Sequence, residues 1–104
     1  MTEKKQIERD GAVAQKNSGR GWVQKGDARL GPFLVDYKEY TESFSVSRTN
    51  WAKLQSDAFR TQQSQPAFRL ILGEQDGMRK LRLWVIGDDM FAEMLDAWEQ
   101  VYNA

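Results

Sequence analysis

The chain has no cysteine and no histidine among its 104 residues. The first absence excludes disulfides and thiolate metal sites, and the second removes the commonest general base and the commonest transition-metal ligand. Any catalysis must therefore run on carboxylates, lysines, hydroxyls or a metal held by oxygen. No apolar run approaches the ~20 residues of a membrane span, and the opening "MTEKKQIERD" lacks the apolar core of a signal peptide. The expectation is an intracellular, cytoplasmic protein with no membrane partner. Proline is also scarce, at two residues, while 40% of the chain is hydrophobic and 29% charged, the balance of an ordinary globular protein. A chain of this length predicts one domain, residues 1–104, with a single core.

The formal net charge is zero, but the charges are not spread evenly. Residues 1–38 hold eight Lys/Arg against five Asp/Glu, whereas residues 81–104 hold Arg82 against five acids. A neutral sum alone argues against a nucleic-acid partner, yet this asymmetry can still present a positive face. The competing interpretation is that the acids are the solvated side of a terminal helix.

Element signals follow along the chain. "TEKKQIERD" predicts a short helix ending near Gly11, and "NSGRG" reads as a loop. "GDARLGPFLVDYK" predicts two strands joined at Gly31-Pro32. Thr49 or Asn50 is the expected N-cap of a helix carrying Trp51, Leu54, Ala58 and Phe59 on one stripe, stopped by Pro66. "AFRLILG" and "MRKLRLWVIG" predict two strands turning at Asp76-Gly77. Asp88 or Asp89 is expected to cap a last helix with Phe91, Leu95, Trp98 and Val101 or Tyr102 at helical spacing. The predicted order is α, β, β, β, α, β, β, α, a mixed α+β (α/β) fold with a central mixed five-stranded sheet flanked by helices. Trp51, Trp84 and Trp98 are assigned to the core; Trp22, in a polar neighbourhood, is divided between core and ligand contact.

The hairpin holds an oddity. Its most strand-like segment, "PFLV", runs directly into Asp36, Tyr37 and Lys38. In a strand, Asp36 and Lys38 project to one face while Val35 and Tyr37 face the other. A fold-back at Gly31-Pro32 would bring Asp27 beside Asp36. Two carboxylates so close stay ionised only if a cation is supplied. Lys38 supplies one charge, and a hard divalent ion such as Mg²⁺, which takes oxygen ligands, would supply the rest. That outlines a phosphodiester hydrolysis site, with an exposed Asp36–Lys38 ion pair as the plain alternative.

An acid, a short turn and a hydrophobic strand ending in D-x-K resembles the PD-(D/E)XK nuclease superfamily. The ordered segments "NSGRGWVQKGD", "GPFLVDYK", "SFSVSRTNWAKLQSDAF" and "QPAFRLIL" resemble its Holliday junction resolvase branch, in particular the small phage-encoded forms. The resemblance implies a restriction-endonuclease-like core. It implies Mg²⁺, replaceable by Mn²⁺, on Asp27, Asp36 and the carbonyl of Tyr37, with Lys38 positioning the attacking water. It also implies DNA contacts at Ser18 and Gly19, with Arg20 and Lys25 as phosphate partners, and a Lys53 near the site. Gly26 stands where the motif has proline. The family's first-helix glutamate falls on Glu3 or Glu8, because that helix is short here.

The expected function is a structure-selective Mg²⁺-dependent DNA endonuclease acting on four-way junctions as a homodimer, with Arg29 and Arg48 as further phosphate contacts. The alternatives are another nicking or repair nuclease of the superfamily, a catalytically idle nucleic-acid-binding or assembly module, and a small interaction protein whose hairpin charges are structural. The last helix would either cover a face of the sheet or form a two-fold interface.

Overall fold

A computed structural model of the chain describes residues 3–14, 27–73 and 79–103. Ser18, Gly19, Arg20, Trp22, Lys25 and the Asp76-Gly77 turn lie outside the described residues, as does the side chain of Glu3. The elements are α1 (Glu3–Asp10), β1 (Val13–Ala14), β2 (Asp27–Leu30), β3 (Phe33–Tyr40), α2 (Arg48–Arg60), β4 (Gln65–Leu72), β5 (Leu81–Ile86) and α3 (Asp88–Tyr102), in the expected order. The five strands form one mixed sheet ordered β1-β2-β3-β4-β5, in which β3 and β4 run parallel and the other neighbours antiparallel.

Local chemistry accounts for this path. Leu30 pairs with Phe33 across a two-residue turn whose first residue, Gly31, has φ 57°, a conformation glycine adopts without steric cost. The parallel β3–β4 pair needs a crossover, which α2 provides. Parallel pairing with both faces covered leaves β4 buried continuously from Pro66 to Ile71. The core has two halves. Ile7 of α1 packs with Ala28, Val35, Tyr37, Ala67 and Ile71 on one face of the sheet. Leu54 and Ala58 of α2 pack with Leu34, Phe68 and Leu70 on the other.

Several boundaries differ from expectation. The cap of α2 is Ser47, not Thr49 or Asn50: its hydroxyl accepts from the Asn50 N–H at 3.0 Å, while the Ser47 N–H donates to Asn50 Oδ1 at 2.8 Å. Asn50 is thus the third helical residue of a reciprocal cap, the role usually filled by Glu or Gln. The helix ends at Thr61 through left-handed Gln62 and Gln63, φ 55° and 53°, before Pro66 is reached. Pro66 instead lies inside β4, near its start, where proline is tolerated. Phe59 falls off the α2 stripe and is exposed. Gly87, not Asp88 or Asp89, is the N-cap of α3; the two aspartates occupy its first turn, where the helix dipole favours them.

The larger correction concerns the tryptophans. Trp51 is half-buried against Phe68, with ring centroids 5.9 Å apart, but Trp84 and Trp98 are 43% and 53% exposed. No residue of α3 is buried, because the helix leaves the sheet after Gly87 and turns its stripe to solvent. Trp84 lies instead against the Arg69 guanidinium, 4.6 Å from the ring centroid, a cation–π contact.

Arg69 also anchors α1. Its guanidinium donates to both oxygens of Asp10, at 2.8 and 3.0 Å, and the Tyr37 hydroxyl donates to Asp10 Oδ2 at 2.9 Å. Burial alone would raise the Asp10 pKa, but the hydrogen bonds from Arg69 and Tyr37 and the Arg69 charge outweigh it and hold the carboxyl below its ordinary 3.8. Asp10 therefore contributes stability above that value, and the contribution is lost as pH falls through its lower folded-state pKa. Arg69→Met should cost about 3–5 kcal/mol in urea denaturation at neutral pH, because it strands a buried carboxylate. The double variant Arg69→Met, Asp10→Asn should recover part of that loss.

Candidate active site

The β2–β3 register places Asp27 directly opposite Asp36. Such cross-strand partners project to the same face with Cβ atoms about 5 Å apart. Alternation along β3 puts Asp36 and Lys38 on the α2 face, together with Leu34, and turns Val35 and Tyr37 toward α1. The Lys38 ammonium stands 3.4 Å from Asp36 Oδ2. Asp27 is 1% exposed, so its carboxylate sits within the protein rather than at its rim.

Asp36 and Lys38 open into a cavity of about 240 Å³ between β3 and the first turns of α2. Asn50, Lys53 and Asp57 of α2 line its far side, with Phe44, Leu54 and Phe68 as apolar walls. Lys53 lines the same cavity as Asp36 and Lys38, across from the D-x-K segment. Asn50 reaches it because the reciprocal cap fixes the first turn of α2, where Asn50 Nδ2 also donates to the Ser45 carbonyl at 2.8 Å.

Asp57 is a site residue that the motif and stripe readings above missed. It is 5% exposed and lies on the same side of α2 as Leu54 and Ala58. Its spacing from them, three residues after Leu54 and one before Ala58, was the signal: an acid on an apolar stripe must have a reason to be there. Arg60 approaches it at 3.5 Å.

The cavity lining is balanced in formal charge, with Asp36 and Asp57 against Lys38 and Lys53, and burial sets its electrostatics. Burial raises the Asp36 pKa above 3.8, Lys38 and Lys53 oppose the rise, and Asp57 adds to it. Burial likewise raises Asp57, against the charges of Lys53 and Arg60. The two lysines therefore oppose but do not cancel the effect of burial on these carboxyls. Among the described residues no group of three or more metal-ligating side chains converges. The Asp27–Asp36 pair fits the demands of Mg²⁺, which commonly takes one or two carboxylates and completes its shell with water and substrate phosphate.

Other predicted site residues lie elsewhere. Arg29 is half-buried, and its guanidinium donates to Gln62, just beyond the far end of α2 from Asn50. Arg48 is exposed at the first residue of α2. Glu8 is exposed on α1, which packs on the opposite face of the sheet from Asp36 and Lys38. The Tyr37 backbone lies between the two site residues, in register with Arg69 of β4. Its phenol is turned away, with a pKa pushed well above the ordinary 10 by burial and by Asp10.

Comparison of the chain with protein-family models, with curated proteins and with solved structures gave no match.

The raised Asp36 pKa yields a stability prediction whose sign differs from that of Asp10. The folded state holds the Asp36 proton more tightly than the unfolded chain does, so stability falls as pH rises from 3.8 through the folded-state pKa. Asp36→Asn should raise the urea midpoint at pH 7 and bring no gain below about pH 3, where the wild-type carboxyl is protonated in both states. A midpoint lowered at neutral pH would show that the Lys38 ion pair, not desolvation, dominates.

Proposed function

We propose that this protein is a Mg²⁺-dependent, structure-selective DNA endonuclease of the Holliday junction resolvase type, with a restriction-endonuclease-like core. The observation that carries the reading is the register of Asp27 against Asp36, with Lys38 on the same face at the mouth of a cavity. The antiparallel β1-β2-β3 run followed by a helical crossover into parallel β4 supports the same reading, since it is the frame in which an acid and a D-x-K segment meet.

Asp27 and Asp36 would hold Mg²⁺, or Mn²⁺ in its place; the ion, when bound, would supply the positive charge that eases loss of a proton from water. Lys38, anchored by Asp36, presents its ammonium to the cavity, where it orients a water and offsets charge developing on the phosphate. Lys53 brings a second ammonium from α2, and Asn50 a neutral donor, on the side where a bound strand would lie. Arg48 at the start of α2 would contact phosphate outside the cavity; Arg20 and Lys25, which lie outside the described residues, are the further phosphate partners that the resemblance implies. Such contacts make binding strongly salt-dependent. The expected substrate is a four-way or other branched DNA, cut by a homodimer with one site per copy.

A second reading is favoured by one observation, the zero net charge. It is a nucleic-acid-binding or assembly module that keeps this fold without catalysis.

Incubation with junction, duplex, nicked and single-stranded DNA, with and without Mg²⁺ or Mn²⁺, separates the two. Paired symmetric nicks in the junction, requiring metal, are expected. Binding without cleavage of any substrate would establish the second reading. Asp36→Asn should lower the cleavage rate by at least about 10²-fold while leaving junction affinity within a few-fold. Independently of activity, millimolar Mg²⁺ should raise the thermal midpoint of the wild type and leave that of Asp36→Asn unchanged.

A further inference from the structure

α3 carries a ridge that its own chain does not cover. Phe91, Met94, Leu95, Trp98, Val101 and Tyr102 recur at helical spacing, and each is 43–72% exposed. The Trp98 and Tyr102 rings pack on each other, centroids 4.9 Å apart, rather than on the sheet. Of the five acids of α3, Asp89, Glu93 and Asp96 lie on the far side of the helix and Asp88 and Glu99 at the edge of the stripe, so the stripe can be buried with its carboxylates left at the far side or the rim. A helix of 15 residues is marginal in water without tertiary packing, so the ridge calls for a partner.

Beside it lies a groove of about 450 Å³. Leu30, Pro32, Phe33, Trp84 and Ile86 form its floor and one wall, and Met94 of α3 the other. It is the part of the α1 face of the sheet that the short α1 leaves uncovered: Leu30, Phe33 and Ile86 pack against the core there only in part.

We propose that a second copy of this chain covers both features, the α3 ridge of each copy lying along the groove of the other about a two-fold axis. Ridge and groove belong to one continuous surface of one chain, which is the condition for an isologous contact in which each copy satisfies the other. The areas agree. Half-exposed side chains of this size offer roughly 700 Å² from the ridge alone, and Trp84 with the groove walls brings this near the ~800 Å² per partner of a standard interface. Charge excludes the obvious rival occupant. A helix with five acids and no base repels a phosphate backbone, so DNA does not cover this face. Arg82, on the same side of β5 as Trp84 and Ile86, places a cation where the incoming acidic helix passes.

The proposal gives the two-fold assembly of the proposed nuclease a surface, but it stands on α3 and the groove alone. It is tested without DNA or metal, so its failure removes the two-fold assembly but leaves metal-dependent cleavage to its own test, and a failure of cleavage leaves this interface untouched.

Sedimentation equilibrium of the purified protein at micromolar concentration should give twice the 12.0 kDa chain mass. Trp98→Glu on the ridge and Trp84→Glu in the groove should each weaken association by at least about 100-fold. Both side chains are on the surface, and far-ultraviolet circular dichroism of each variant should retain the wild-type spectrum. A monomeric wild type overturns the proposal, as does a wild type recovered only with a different protein bound. A dimer that persists in Trp98→Glu excludes the ridge, and one that persists in Trp84→Glu alone excludes the groove as its seat.

Discussion

Everything in this molecule hangs on the two-residue period of β3. The strand is central, paired on one side with β2 and on the other with β4, and each residue must choose between two unlike faces. Leu34, Asp36 and Lys38 go to the α2 face, while Val35 and Tyr37 go to α1. A slip of one residue would bury two charges in the α1 core and expose its apolar residues, so the register is strongly specified. The same constraint that makes the core makes the cavity. Asp27 meets Asp36 because Gly31 allows a two-residue turn, and any longer loop would let the pairing shift.

The two faces carry opposite electrostatic designs. On the α1 side, Asp10, Arg69 and Tyr37 form a closed set in which the carboxylate is held ionised by donors of good geometry. On the α2 side, Asp36 is half-buried and Asp57 buried, with lysines that do not fully offset the burial. The first arrangement stabilises the fold, and the second burdens it. Carboxylates that disfavour their own charged form are common where a site awaits a charged ligand, and they are the usual cost of function.

Much of the architecture was legible because it is encoded locally. Period-two alternation, the Gly31-Pro32 turn and the apolar run of β4 all act within a few residues of one another, and the order of eight elements followed from them. So did the convergence of Asp27, Asp36 and Lys38, which needs only one hairpin. What was not legible depends on distant partners. Asp10 gains its role from Arg69, 59 residues away, and from Tyr37, 27 residues away. Asp57 was visible as an acid beside Leu54 and Ala58, but nothing local ties it to Asp36. Periodicity showed that α3 has an apolar stripe and could not show which way the helix leaves Gly87, so Trp98 was placed in a core that it does not enter. The cap of α2 lies two or three residues before the expected Thr49 or Asn50 because Ser47 and Asn50 act as a pair.

Tyr37 stands between Asp36 and Lys38 in the chain and yet belongs to a different layer. Its phenol is committed to Asp10, far from the cavity and poorly disposed to release its proton. The middle position of the acid-x-lysine segment is thereby insulated from the solvent space its neighbours serve. A lineage carrying this fold could exchange that residue to suit a warmer or colder setting, adjusting how firmly α1 is clasped, without editing the side chains that line the cavity. Thermal adaptation and chemistry can then vary separately at adjacent codons.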